Sequence, residues 1–212
     1  MYFPIKKATK RSIGNRKKLF GVGINDAPYM VKPSENGKRY CCPYYSVWQG
    51  MLERCYSDRF HKIEPSYKDC IVCNEWLYFM NFREWMEKQD WQGKAIDKYI
   101  LSNNNKIYSP ETCCFVPQRV NNLLTDRASK RGKYPIGVFY KKANKKFMAQ
   151  VQCSGINKYL GLFTTPEDAH AAYVSAKREI IIDVAKSIDD KRVASALIDK
   201  ANALLQESLN AA

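Results

Sequence analysis

The sequence is short of histidine, of long apolar runs and, over two stretches, of acid. Its 212 residues include two histidines, His61 and His170, which leaves few side chains for imidazole acid–base work. Apolar runs are only a few residues long, Ile180 to Ile182 being an example, and no apolar block follows the basic N-terminus. A transmembrane span and a signal peptide are therefore not expected, and the chain reads as a soluble intracellular protein. Among eight cysteines there is one C-x-x-C pair, Cys70 and Cys73. It has the spacing of half a tetrahedral zinc site, which Cys55, Cys113 or Cys114 would complete; with no second pair, buried reduced thiols are the favoured reading.

What is abundant is positive charge. Lysine and arginine number 35 against 21 acids, a formal net charge of +14. Residues 1–25 carry seven basic side chains (Lys6, Lys7, Lys10, Arg11, Arg16, Lys17, Lys18), and residues 127–166 carry nine, Lys141, Lys142, Lys145, Lys146 and Lys158 among them. Neither stretch contains Asp or Glu, and the rest of the chain is nearly neutral. Charge segregated in this way points to a polyanionic partner, nucleic acid above all, since solubility alone does not require it.

Periodicity supplies a coarse map. Residues 1–18 read as a flexible basic arm, and the Gly- and Pro-rich residues 19–40 as turns. Tyr44, Val47, Trp48, Met51, Leu52 and Cys55 fall on one face of a helix, and Trp76, Phe79, Met80, Trp85 and Met86 on a second helix over about 74–88, with Asn74 as its N-cap. Residues 94–109 read as a hairpin turning at three consecutive asparagines, and Pro117 opens a short helix through Leu124. Ile136–Tyr140, Phe147–Gln152 and Lys158–Phe163 read as strands. Thr165-Pro166-Glu167-Asp168 starts a helix, and residues 187–209 form a last amphipathic one.

Within 135–178, Gly137-Val138, Lys146-Phe147-Met148-Ala149-Gln150-Val151, Tyr159-Leu160-Gly161-Leu162-Phe163, Glu167-Asp168-Ala169 and Ala172-Tyr173 follow one another. This succession resembles the ethylene-response-factor (AP-two) type DNA-binding domain. The resemblance implies a three-stranded sheet in the major groove with a helix behind it. It implies a contact row of Phe139, Lys141, Gln150, Gln152, Asn157 and Tyr159, with Lys142, Lys145, Lys146 and Lys158 also on the DNA. The family's guanine-gripping arginines are replaced here by Phe139 and Gln152, which implies an altered sequence preference. Ammonium groups displace counterions from phosphate, and glutamine pairs with adenine N6 and N7, so the chemistry is coherent without the family.

Residues 44–124 are similar to bacteriophage HNH-type homing endonucleases. The likeness is carried by Trp48 to Tyr56, Pro65-Ser66-Tyr67, Glu75-Trp76, Ile96-Asp97-Lys98, Tyr108-Ser109-Pro110-Glu111-Thr112-Cys113 and Val120-Asn121. It implies a ββα unit in which Asp97 and Asn121 (or Asn122) would hold a divalent metal such as Mg2+. Lys98 stands where the family has its general-base histidine, and an ordinary lysine is protonated at neutral pH and accepts no proton. The expected fold class is α+β: an HNH-like ββα unit with flanking helices, then a three-stranded antiparallel sheet packed on a helix, then a C-terminal helix. The expected divisions are an arm at 1–18, a degenerate HNH-like domain at 19–125, a basic linker at 126–134, an AP-two-like domain at 135–186 and a C-terminal helix at 187–212. The expected function is binding of double-stranded DNA by a phage-type protein with a degenerate cleavage site, in the cytoplasm of an infected bacterial cell and associated with its nucleoid, reused as a regulator or an inhibitor of host defence. The alternatives are an active metal-dependent endonuclease that uses Asp97, Lys98 and Asn121, and an inhibitor whose basic face engages a host nucleic-acid-handling protein.

Overall fold

The computed structural model describes residues 2–102, 105–124, 132–153 and 155–210, with side chains to residue 206. The architecture is mixed α+β, and the chain divides into two compact units, Met1–Val116 and Pro117–Ala212. Most of the expected 126–134 linker and the asparagines at 103 and 104 lie outside the described residues.

In the first unit the basic N-terminus is not a loose arm. Helix α1 (Lys10–Gly14) starts at Thr9, whose Oγ1 accepts from the Ser12 amide at 3.1 Å. The residues before it pair with the segment around Tyr29: Ala8 N donates to Pro28 O at 3.0 Å, and Met30 N to Lys6 O at 2.8 Å. These backbone bonds and the burial of Ala8 correct the expectation of flexibility over 1–18. Strands β1 (Ser34–Glu35) and β2 (Lys38–Arg39) turn back through Asn36 and Gly37, both at positive φ, as a two-residue hairpin requires.

Helix α2 (Pro43–Tyr56) begins on a proline at its first position and buries Tyr45, Trp48, Met51, Leu52 and Cys55. Tyr44 and Val47, expected on that face, lie at its half-buried margin. Helix α3 (Asp58–Ile63) is capped by Ser57, and strand β3 (Ile71–Val72) follows. The expected helix over 74–88 is broken. A 3-10 turn spans Asn74–Leu77, Tyr78 is extended, and α4 runs from Phe79 to Glu87. The cause is Ile24, which takes up the backbone on both sides of Tyr78: Ile24 N donates to Leu77 O at 2.7 Å, and Phe79 N to Ile24 O at 2.9 Å. Asn74 therefore does not cap α4; Asp26 Oδ1 instead accepts from Met80 N at 2.9 Å. Trp48, Trp76, Phe79 and Phe82 fill the core between α2 and α4, and Trp48 Nε1 donates to Trp76 O at 2.6 Å, so that the indole is buried without an orphaned donor.

The expected hairpin over 94–109 is also corrected. Strand β4 (Lys94–Asp97) pairs with β6 (Cys114–Pro117), whereas β5 (Ile107–Tyr108) runs parallel to β3. Asn105 directs the chain into β5, its Nδ2 donating to the carbonyls of Lys98 at 3.2 Å and Ile107 at 2.5 Å.

The second unit begins with α5 (Gln118–Leu124). Strands β7 (Val138–Lys141), β8 (Lys146–Cys153) and β9 (Ile156–Phe163) then form an antiparallel meander in that order. Behind it lie α6 (Pro166–Lys186), capped by Thr165 Oγ1 on the Asp168 amide at 3.1 Å, and α7 (Lys191–Asn210), which packs against α6. Val138, Ala149 and Val151 face Ala169, Tyr173 and Val174 of α6. Gly137 lies at φ +81°, and a Cβ there would stand 2.1 Å from the Tyr173 ring, so glycine is required twice over.

Candidate nucleic-acid interface

The register of the meander decides which side chains look away from α6. Val138 pairs with Ala149, and Phe147 with Phe163, on the helix side. Alternation then puts Phe139, Lys141, Lys146, Met148, Gln150, Gln152 and Leu162 on the other face. An extra residue in β9 opposite Ala149 and Gln150 lets both Leu160 and Gly161 turn inward, and returns Tyr159 and Asn157 to the outer face opposite Gln150 and Gln152. All six residues of the expected contact row thus share one face. Lys158, expected on the DNA beside that row, pairs with Val151 on the opposite face and is itself exposed.

That face is arranged in cross-strand rows. Lys141 pairs with Lys146 at one end, and the turn between them carries Lys142 and Lys145. Next comes an apolar row, Phe139, Met148 and Leu162, and then the polar pairs Gln150–Tyr159 and Gln152–Asn157. Phe139 is 47% exposed and Tyr159 59%, values that a ring serving only the core does not have. Among the described residues, no carboxylate pairs with Lys141, Lys142, Lys145 or Lys146.

In the first unit the basic residues divide. Lys7, Lys10, Arg11, Lys17 and Lys18 are exposed. Lys6 Nζ bonds Ser34 O at 2.5 Å. Arg16, counted among the basic side chains expected to face a polyanion, is an internal clamp: its guanidinium donates to the carbonyls of Asn25 at 2.8 Å, Ala27 at 2.7 Å and Tyr29 at 3.0 Å.

The Asp97–Lys98 pair has turned inward. Asp97 is buried, and its Oδ1 accepts from the amides of Tyr99 and Ile100, both at 2.7 Å, which fixes the turn after β4. Lys98 is 1% exposed. Its Nζ stands over the Tyr99 ring at 3.1 Å from the centroid, with the Tyr67 and Tyr108 rings at 5.3 and 5.4 Å, and donates to Asn105 O at 3.4 Å. Burial presses the Lys98 pKa below the ordinary lysine value, while the nearby Cys70 and Cys55 thiols and the Asp97 carboxylate act against that fall. An ammonium enclosed by three tyrosines is held away from the surface, where the endonuclease alternative would use it. Asn121 lies on α5, in the second unit.

The expected ligands of a divalent metal include one carboxylate. The single carboxylate, Asp97, already gives Oδ1 to two amides and has a buried cation as its sequence neighbour, whereas Mg2+ calls for free carboxylate oxygens. Among the described residues, no group of three or more His, Cys, Asp or Glu is placed to hold a metal ion, so Cys70 and Cys73 have no such group around them. Burial drives the thiols of Cys55 and Cys113 up to about 12. His61 Nε2 lies 2.9 Å from Arg54 O, and His170 Nδ1 lies 3.1 Å from Ile136 O with its ring stacked on Tyr173.

No helix among the described residues is long and apolar enough to cross a membrane. No protein-family model, curated protein or solved structure matches the chain.

Proposed function

We propose that this chain binds double-stranded DNA, laying the outer face of β7–β9 in the major groove with its lysines on phosphate, and that it descends from an HNH-type homing endonuclease of bacteriophage whose cleavage centre has been lost. One observation carries the reading: a three-stranded face without a single acid joins a lysine-bearing turn to exposed aromatic and amide side chains. Phosphate contacts supply affinity, and amides and apolar groups on the same face supply contact with base edges. The exposed lysines of residues 7–18 add a second basic surface in the other unit. Loss of cleavage is supported by the enclosure of Lys98 and by the use of Asp97 as a turn anchor. A DNA binder of this kind acts by occupancy, as a regulator or as an obstruction to host nucleic-acid-handling machinery.

Two measurements on the full chain test this. Fluorescence anisotropy with a labelled duplex of about 20 base pairs at low salt should show binding, and absence of binding overturns the proposal. Supercoiled plasmid incubated with Mg2+ or Mn2+ should remain supercoiled. Metal-dependent nicking abolished by Asp97→Asn would overturn the loss of cleavage.

A further inference from the structure

The proposed function sets the amides and apolar groups of this face against base edges without saying which bases, and phosphate binding alone needs no apolar row. From the order of the rows we infer that β7–β9 read A·T-rich major groove, the apolar row packing on thymine C5-methyl groups and the glutamines pairing with adenine edges. The inference rests on the DNA-binding reading above.

The argument is one of exclusion and fit. Guanine is read in the major groove chiefly by arginine or lysine on O6 and N7, and cytosine by a carboxylate accepting from N4. No arginine and no acid occurs anywhere in β7, β8 or β9. The lysines of the outer face, Lys141 and Lys146, are confined to its end, beside the turn, where a phosphate strand rather than a base edge is met. What fills the centre is Phe139, Met148 and Leu162, followed by Gln150 beside Tyr159. A thymine methyl is the one apolar group that a base pair presents in the major groove, and adenine N6 and N7 form the donor–acceptor pair that a glutamine amide matches.

Spacing agrees with this. Residues two apart on a strand are separated by roughly 6.7 Å, about two base-pair steps, so Met148, Gln150 and Gln152 span about four steps, or about five base pairs. Adjacent strands lie about 4.8 Å apart, so neighbouring strands fit within a groove about 12 Å wide. A-form RNA keeps its major groove too deep and narrow for such a sheet. The acid-free, lysine-ended face complements a polyanion, which favours this occupant over an apolar protein partner.

The test needs no variant for its first arm. Three duplexes of equal length are titrated with the full chain at one salt concentration: an A·T-rich duplex, the same duplex with every thymine replaced by deoxyuridine, which removes only the methyl groups, and a G·C-rich duplex. The A·T-rich duplex should bind about tenfold or more tighter than the G·C-rich one, and deoxyuridine should weaken binding by about threefold or more. Phe139→Ala, a change at an exposed position, should shrink the thymine–deoxyuridine difference, with affinity for the thymine duplex falling more than affinity for the deoxyuridine one. Equal affinity for the thymine and deoxyuridine duplexes, or a preference for G·C, overturns the inference and leaves DNA binding standing. Tighter binding to an RNA duplex also overturns it. No binding to any duplex overturns the DNA-binding reading itself.

Discussion

Asp97 offers the sharpest separation between a structural carboxylate and a catalytic one. Its Oδ1 accepts from the amides of Tyr99 and Ile100 at 2.7 Å, and Ile100 is 2% exposed, so its amide has no ready access to water once the carboxylate is removed. A hydrogen bond to a charged group contributes about 1.5–3 kcal/mol, and the two bonds share one acceptor, so Asp97→Ala should cost about 3 kcal/mol rather than the sum. For a unit of 116 residues this lowers the melting temperature by roughly 12 °C. Asp97→Asn retains an oxygen acceptor and loses only the charge, which should cost about 1 kcal/mol, or roughly 4 °C. The assay is built into the chain, because all four tryptophans, at 48, 76, 85 and 91, lie in the first unit. Tryptophan fluorescence during heating therefore reports that unit alone. An alanine variant melting within about 2 °C of the parent would refute the anchoring role. An asparagine variant as unstable as the alanine one would show that the charge, and not the oxygen acceptor, is what matters.

Three further outcomes are expected. Cys55 and Cys113 keep their protons to about pH 12 when folded, whereas unfolded thiols lose theirs near 8.5, so the unfolded state binds fewer protons in that window and stability falls as pH rises through it. Between pH 8.5 and 10 the loss is about 2 kcal/mol per thiol, offset in part by Lys98, whose lowered folded pKa works in the opposite direction; Cys113→Ala should flatten the decline in urea midpoint, and a midpoint rising with pH contradicts this. Arg16→Met should lower the tryptophan-monitored midpoint by about 2–3 kcal/mol through three abandoned carbonyls while changing the salt dependence of DNA binding little; a reduced salt slope would return Arg16 to the interface. Gly137→Ala, which forces a side chain into the Tyr173 ring at positive φ, should destabilise the second unit by about 2–5 kcal/mol, seen by circular dichroism with tryptophan fluorescence unchanged, and a neutral effect would place Tyr173 elsewhere.

What could be read in the sequence was what depends on neighbours in the chain. The face of α2 follows from 3.6-residue spacing, α6 from Thr165-Pro166 at its start, and the outer face of the meander from strict alternation along β8. What escaped depends on partners far away. The N-terminal segment carries no apolar period, yet its backbone bonds residues 28–30 and Arg16 ties down three carbonyls, neither of which has a hydrophobic signature. The break at Tyr78 was hidden because it is imposed by Ile24, and the cap of α4 comes from Asp26, 54 residues before the amide it accepts from. The pairing of β5 with β3 rather than β4 was illegible for the same reason: a two-residue strand has no pattern of its own that selects an edge. Lys98 is the most instructive case. A lysine beside an aspartate reads as a surface pair, and only the convergence of Tyr67, Tyr99 and Tyr108 from separate segments turns it inward.

The central claim is that the β7–β9 face grips DNA with the lysines at its end. Its most direct test is the salt dependence of binding for the parent protein and for the double variant Lys141→Ala, Lys145→Ala, measured by anisotropy on one duplex across a range of potassium chloride concentrations. Each lysine on phosphate contributes about 0.9 to the slope of log affinity against log salt, so the variant's slope should be shallower by about 2, with affinity reduced to a similar degree on every sequence. A slope identical to that of the parent would remove this sheet from the interface and contradict the account.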